Sequence, residues 1–174
     1  MAALQRIKQG LRALFAFRQV VDYPLAERYL SNQQMSLFRQ MSQSEQLHSL
    51  NVLRDVLVQN PQTPHDLAVA ALLHDAGKAR YSLAIWQKSL GVLIKKLTPR
   101  LFHRWSESDT INRWTSACVV MAHHPAWSAE DAQQAGTTET ALWLIEHHAD
   151  PLEQWQGHPC YNLLDRLKQA DDTN

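Results

Sequence analysis

The sequence predicts an all-α fold, a single-domain helical bundle, and three observations carry that reading. Only 5 glycines and 7 prolines punctuate 174 residues rich in Leu, Ala and Gln, which favours helices over a turn-rich sheet protein. Strand-like alternation of apolar and polar residues is nearly absent, whereas apolar residues recur at helical spacing. Local start and stop residues cut the chain into segments of helical length. The length suits one domain with its own core. Composition agrees, since 45% hydrophobic and 20% charged residues is ordinary globular usage.

Helices are expected over residues 3–18, 23–40, 43–59, 64–75, 80–97, 98–106, 110–123, 127–135, 138–149 and 160–171. The first is amphipathic and carries Arg6, Lys8 and Arg12. Arg12 interrupts its apolar stretch and no small-residue cleavage site follows, which argues against a signal peptide. It is read as a helix packed on the domain, with weak membrane-surface contact as the alternative. Ser42 with Glu45 three residues on makes a capping box for the third segment. Thr63 is placed to cap the fourth, with Pro64 at its first position and Asp66 near its start. Gly77 stands where a left-handed cap would end that helix. Pro125 biases His124 out of helical geometry and marks a junction between two helices. Gly136 ends the next segment, and Thr137 or Thr138 begins the one after it. Residues 1–43 are taken as N-terminal helices packed on a domain spanning 44–174.

Charge and cysteine content narrow the classes. The formal net charge is zero, so no nucleic-acid polymer is expected as a partner. Basic residues cluster from Lys78 to Arg113 (Lys78, Arg80, Lys88, Lys95, Lys96, Arg100, Arg104, Arg113) against Glu107 and Asp109. Such a run is either a solvated helix face or an attractor for an anionic substrate. Cys118 lies in an apolar run and reads as a small core residue, and its distance from Cys160 suggests neither a disulfide framework nor a thiolate site. No apolar run is long enough to span a bilayer, and the cytoplasm is the expected location. The six tryptophans are read as core residues.

Nine histidines are an unusual number for this length, and their placement is uneven. Imidazole and carboxylate suit iron, manganese, zinc and similar divalent ions. An apolar helix from Leu67 ends in His74-Asp75, which offers a neutral nitrogen and an anionic oxygen, with Lys78 and Arg80 beside them as phosphate contacts. His48 sits near the start of an apolar helix, and His124 directly precedes Pro125. Ala141, Ile145 and His148 share one face, so His148 is expected to point inward. Leu164, Leu167 and Asp171 share another, and a carboxylate aimed at a core is costly unless paired or metal-bound.

Taken in order, His48, His74-Asp75, His124, His148 and Asp171 resemble the HD-domain superfamily of metal-dependent phosphohydrolases. The local runs Leu-Leu-His74-Asp-Ala-Gly-Lys78, His124-Pro-Ala-Trp-Ser-Ala-Glu130, Leu-Ile-Glu-His-His148 and Leu-Lys-Gln-Ala-Asp171 carry the likeness over residues 44 to 172. The intermediate histidines are similar to the family's two-metal members. That resemblance implies Asp75 bridging two divalent ions, with His48, His74 and Asp171 on one and His124 and His148 on the other. Iron or manganese comes first, with zinc, magnesium, nickel or cobalt also in range. It further implies a metal-activated water attacking phosphorus, Lys78 neutralising charge, and a small phosphate-containing substrate such as a nucleotide. Asp75 and Lys78 would be the catalytic pair, and Lys78, Arg80, His123 and His147 the substrate contacts. A homodimer is left open. The family also contains di-iron oxygenases, and a metal-stabilised regulatory or binding module without turnover is a third class. The Gly-Tyr-Pro tripeptide of one cyclic-dinucleotide subgroup is absent. Within the pattern, His123 and His147 compete with their neighbours as ligands, and Asp150 competes with Asp171. His65-Asp66 is read as capping, and His103 and His158 as surface residues.

Overall fold

The computed structural model describes residues 20–108 and 110–174, so the helix expected over 3–18 lies outside the described residues. Among the described residues nine α-helices follow in order: α1 Tyr23–Ala26, α2 Asn32–Gln40, α3 Gln43–Gln59, α4 His65–Leu73, α5 Ile85–Leu97, α6 Pro99–Ser106, α7 Ser116–Gln134, α8 Glu139–His147 and α9 Tyr161–Thr173. Two 3-10 segments, Ala76–Arg80 and Leu152–Trp155, link α4 to α5 and α8 to α9. No strand occurs among the described residues, and no helix there is long and apolar enough to cross a membrane.

The middle helix explains the arrangement. Every residue of α4 from Leu67 to Leu73 is buried. A helix apolar all round has no face to give to water and can only stand at the centre. It is packed by α3, α8 and α9. Phe38, Leu50, Leu53, Leu67, Leu72, Leu73, Leu144, Ile145, Leu164 and Leu167 fill the core between them. Ile94, Ala117, Cys118, Val119 and Val120 are buried outside that cluster, where α5 and α6 pack on α7.

Several expected boundaries move. The segment 23–40 is two helices, because Ser31 opens a second capping box: Gln34 N–H donates to Ser31 Oγ at 3.4 Å and Ser31 N–H to Gln34 Oε1 at 2.9 Å. The Ser42–Glu45 box is present as read. Thr63 does not cap α4. Its hydroxyl donates instead to the carbonyls of Val56 and Asn60, and Pro64 takes the N-cap position. The segments 110–123 and 127–135 are not two helices separated at Pro125. One helix, α7, runs through with Pro125 inside it. Proline in a helix interior forfeits one backbone bond and crowds the carbonyl four residues back; here α6, α8 and the 3-10 turn pack α7 tightly enough to keep it continuous.

Gly77 is not a left-handed cap either, since positive φ among the described residues belongs to Gly136 and Gly157. Its role is closeness. A Cβ there would lie 2.6 Å from both His124 O and Ser128 N. The 3-10 turn therefore rests directly on the α7 backbone, and Gly77 N–H donates to Ser128 Oγ at 2.8 Å. The tryptophan reading holds only in part: Trp143 and Trp155, partly buried, pack against the core, whereas none of the six is fully buried and Trp86 and Trp114 are about half exposed.

Candidate metal centre

Five helices deliver six side chains to one point beneath a cleft. α3 supplies His48 and α9 supplies Asp171, while His74 and His148 each occupy the residue just past the end of α4 and α8. Asp75 follows in the bridge region of the backbone, φ −101° and ψ 4°, which swings its carboxylate back beside His74. α7 contributes His124 from its middle.

The histidine rings are held by a repeated device. A helix end leaves carbonyls without partners. His74 Nδ1 donates to Ala71 O at 3.1 Å, and His148 Nδ1 donates to Ile145 O at 2.7 Å, each three residues back. His124 Nδ1 donates to Val120 O at 3.0 Å. A carbonyl only accepts, so Nδ1 carries a hydrogen in all three rings, which leaves Nε2 as the atom that offers a lone pair to a cation once the ring is neutral. Those lone pairs converge. His124 Nε2 and His148 Nε2 are 3.2 Å apart, and His74 Nε2 is buried with no hydrogen-bond partner. Two facing acceptors and an orphaned third suit a bound cation, and backbone-anchored imidazole is how metal-ligating histidine is held.

Asp75 lies between two sets of rings. Its Oδ2 is 3.6 Å from His74 Nε2 and 3.8 Å from His48 Nε2; its Oδ1 is 3.4 Å from His124 Nε2 and 3.9 Å from His148 Nε2. Asp171 Oδ1 accepts from His48 Nε2 at 2.9 Å and stands 3.6 Å from His74 Nε2. Three overlapping groups have ligand atoms close enough for one ion: His48, His74, Asp75; His74, His148, Asp171; and Asp75, His124, His148. The donor set of nitrogen and oxygen fits a divalent first-row metal.

Electrostatics point the same way. Burial alone would raise Asp75, but Lys78, His74, His124 and His48 hold it well below the usual carboxylate range. Asp171, too, is held low against burial, by His48 and His74. Burial and the neighbouring rings of His74 and His124 push His148 down to about 3, so it is neutral. Burial would depress His74 as well, yet Asp75 and Asp171 outweigh it and raise the ring. Lys78 Nζ donates to Asp75 Oδ2 at 2.7 Å, and despite burial that carboxylate raises its pKa.

The cleft above has a volume of about 350 Å³ and is lined by His48, Asp75 and Lys78 at its floor and by Tyr81, Leu83, Val92, Val120 and Met121 on its walls. Ser44 and Glu45 from α3 and Lys88 from α5 complete the lining, and Lys88 Nζ bridges to Glu45 Oε1 at 3.0 Å. The sequence reading used Glu45 only as a cap and Lys88 only as part of the basic run, and did not place either at the site. They are 43 residues apart and pair only in the fold.

The other expected contacts lie elsewhere. Arg80 pairs with Glu130 and Asp131 and lines a separate groove. His123 is bonded to Ser106 O at 3.0 Å and stacks on Trp127. His147 donates to Asp150 Oδ2 at 2.8 Å, and Trp155 Nε1 to the same oxygen at 3.3 Å. None of these, nor Asp150, belongs to the three metal-sized groups. His158 stacks on Trp143 at 3.9 Å between ring centres rather than standing free on the surface.

A family model described as HD domain matches residues 46–173. The chain belongs to the HD-domain family. The match takes in all six clustered side chains, from His48 to Asp171. No curated protein and no solved structure matches the chain. HD-domain proteins are mostly metal-dependent hydrolases acting on small phosphate compounds, and they bind divalent metals.

Proposed function

We propose that this HD-domain chain hydrolyses a phosphoester or phosphoanhydride in a nucleotide or related small molecule. Two divalent ions, iron or manganese, would be held by His48, His74 and Asp171 and by His124 and His148, with Asp75 shared. The observation that carries this reading is the carboxylate of Asp75, whose two oxygens face two different histidine pairs. Bound ions would supply an acidified water and positive charge for the phosphate oxygens.

The chain's own groups do the rest. Three Nδ1–carbonyl bonds fix the imidazoles before any ligand arrives, so little reorganisation accompanies binding. Lys78 stays cationic, lines the cleft floor and is within reach of a phosphoryl group there. The Leu83, Val92, Val120 and Met121 wall excludes water from one side of a bound substrate.

Protein purified without oxygen should contain about two ions per chain. It should release phosphate or a nucleotide from a panel of dinucleoside polyphosphates, cyclic dinucleotides and nucleotides with manganese or ferrous iron. One ion or none would defeat the two-metal arrangement. Silence across the panel, with oxygen consumed on a polyol instead, would replace hydrolysis by oxygenation.

A further inference from the structure

Helix α5 is oriented the wrong way round for a soluble helix. Trp86, Leu90, Leu93 and Leu97 fall at i, i+4, i+7 and i+11 and so share one stripe. Trp86 is 46%, Leu93 52% and Leu97 65% exposed, while the packed face of the helix is Gly91 and Ile94. Trp114, half exposed, lies against Trp86 with ring centres 5.9 Å apart and widens the stripe. Contiguous exposed apolar surface of this kind marks an interaction site.

Its charge says what kind. From Tyr81 to Ser106 the sequence contains Lys88, Lys95, Lys96, Arg100 and Arg104 and no acid. Arg113 adds a guanidinium 4.9 Å over the Trp114 ring. We propose that α5 seats the protein on an anionic lipid bilayer, with the stripe at the headgroup boundary and the cations among the phosphates. Exposed Trp and Leu flanked by Lys and Arg is the composition of interfacial helices, and an indole is suited to that boundary.

Two other occupants fit less well. A second copy docked by two-fold symmetry would bring the same patch onto itself, setting these cations against their own kind. Residues 1–19 carry Arg6, Lys8, Arg12 and Arg18 and no acid, so the same repulsion opposes that segment as a cover. The same helix borders the cleft through Lys88 and Val92, which lie across α5 from the stripe, and Val92 is half exposed.

Flotation of the full chain with vesicles tests this directly. The protein should rise with phosphatidylcholine vesicles containing one third phosphatidylglycerol and stay behind with phosphatidylcholine alone. Binding should weaken with salt, and tryptophan emission should shift to the blue. Leu93→Ser with Leu97→Ser should weaken binding by about tenfold per leucine. Lys95→Gln with Lys96→Gln should weaken it by about fivefold per lysine. Both pairs are exposed, so melting curves should stay as in the parent. Absence of wild-type binding at low salt would overturn the proposal. Undiminished binding by the leucine variant would overturn it too, by placing attachment on another segment. A dimer that the leucine variant dissociates would assign the stripe to a second copy. The readout is binding, so the outcome stands apart from whether the chain hydrolyses phosphate.

Discussion

At the residue scale, the decisive group is a carboxylate that is buried and still ionised. Desolvation opposes a charge on Asp75, and Lys78 with the surrounding imidazoles overcomes it. Lys78 is thus the counter-charge that keeps Asp75 anionic in its buried position. Asp75→Asn should drop metal content below one ion per chain, with loss of activity beyond the roughly hundredfold that removing an orienting partner brings. Elemental analysis beside the phosphate assay checks it; full metal content in the variant would remove Asp75 from the ligand set. Lys78→Met has a different signature. It strips Asp75 of the Lys78 ammonium and should destabilise the metal-free protein by about 3 kcal/mol. Most of that should return when metal is added, because the ions then neutralise Asp75. Equal losses with and without metal in urea titrations would mean that Lys78 acts only as packing. The inward faces of His148 and Asp171 were legible in the sequence, because helical spacing alone sets which apolar neighbours they share. Helix placement also favoured Asp171 over Asp150, which precedes Pro151 outside regular helix, but what Asp150 does instead was not legible. It turns on a three-residue ion pair to His147 and a bond from Trp155, both made in an irregular loop.

At the scale of elements, the site depends on how closely the 3-10 turn after α4 approaches α7. Sequence reasoning singled out Gly77 and gave it the wrong task, since a left-handed cap and a close backbone contact both ask for glycine. Only the packing partner, 47 residues further along at His124, distinguishes them. Pro125 misled for a related reason. Its local preference ends helices, but tertiary packing keeps α7 whole. Gly77→Ala makes the contact measurable. The new methyl meets backbone atoms that cannot swing aside, so α7 must move. Overpacking of this kind costs about 2 kcal/mol. Because His124 rides on the displaced segment, the proposed two-ion arrangement predicts that the variant loses the ion at His124 and His148 before the one at His48 and His74. Titration with manganese, followed by the stoichiometry of retained metal, should fall toward one ion per chain. A stable variant that still binds two would show that α7 yields without disturbing His124.

At the scale of the whole molecule, folding and metal binding are coupled through protons. The apolar core around α4 is complete without the cluster, so the metal-free chain should fold, and ions should add stability by mass action. Among the shifted groups, Asp171, His148 and His74 show both signs of the pH dependence. Asp171 is depressed, so its contribution is present above its ordinary pKa of 3.8 and lost as pH falls through the folded value. His148, held at about 3, contributes stability above 6.5 that is lost as pH falls, because the unfolded chain takes the proton first. His74 has the opposite sign. Its raised pKa gives stability that is full below 6.5 and lost as pH rises through the folded value. Metal needs the neutral ring, so binding must expel the proton that Asp75 and Asp171 keep on His74, whereas His148 arrives already neutral. Metal affinity should therefore rise by up to about tenfold per pH unit as pH climbs from 6.5 through the raised value of His74, and then level off. Calorimetry in buffers of different ionisation enthalpy should record proton release over the same range. The melting temperature gained on adding manganese should grow with pH in step. An affinity that stays flat across that window, with no proton released, would mean that His74 is already neutral and that the two carboxylates do not hold its proton.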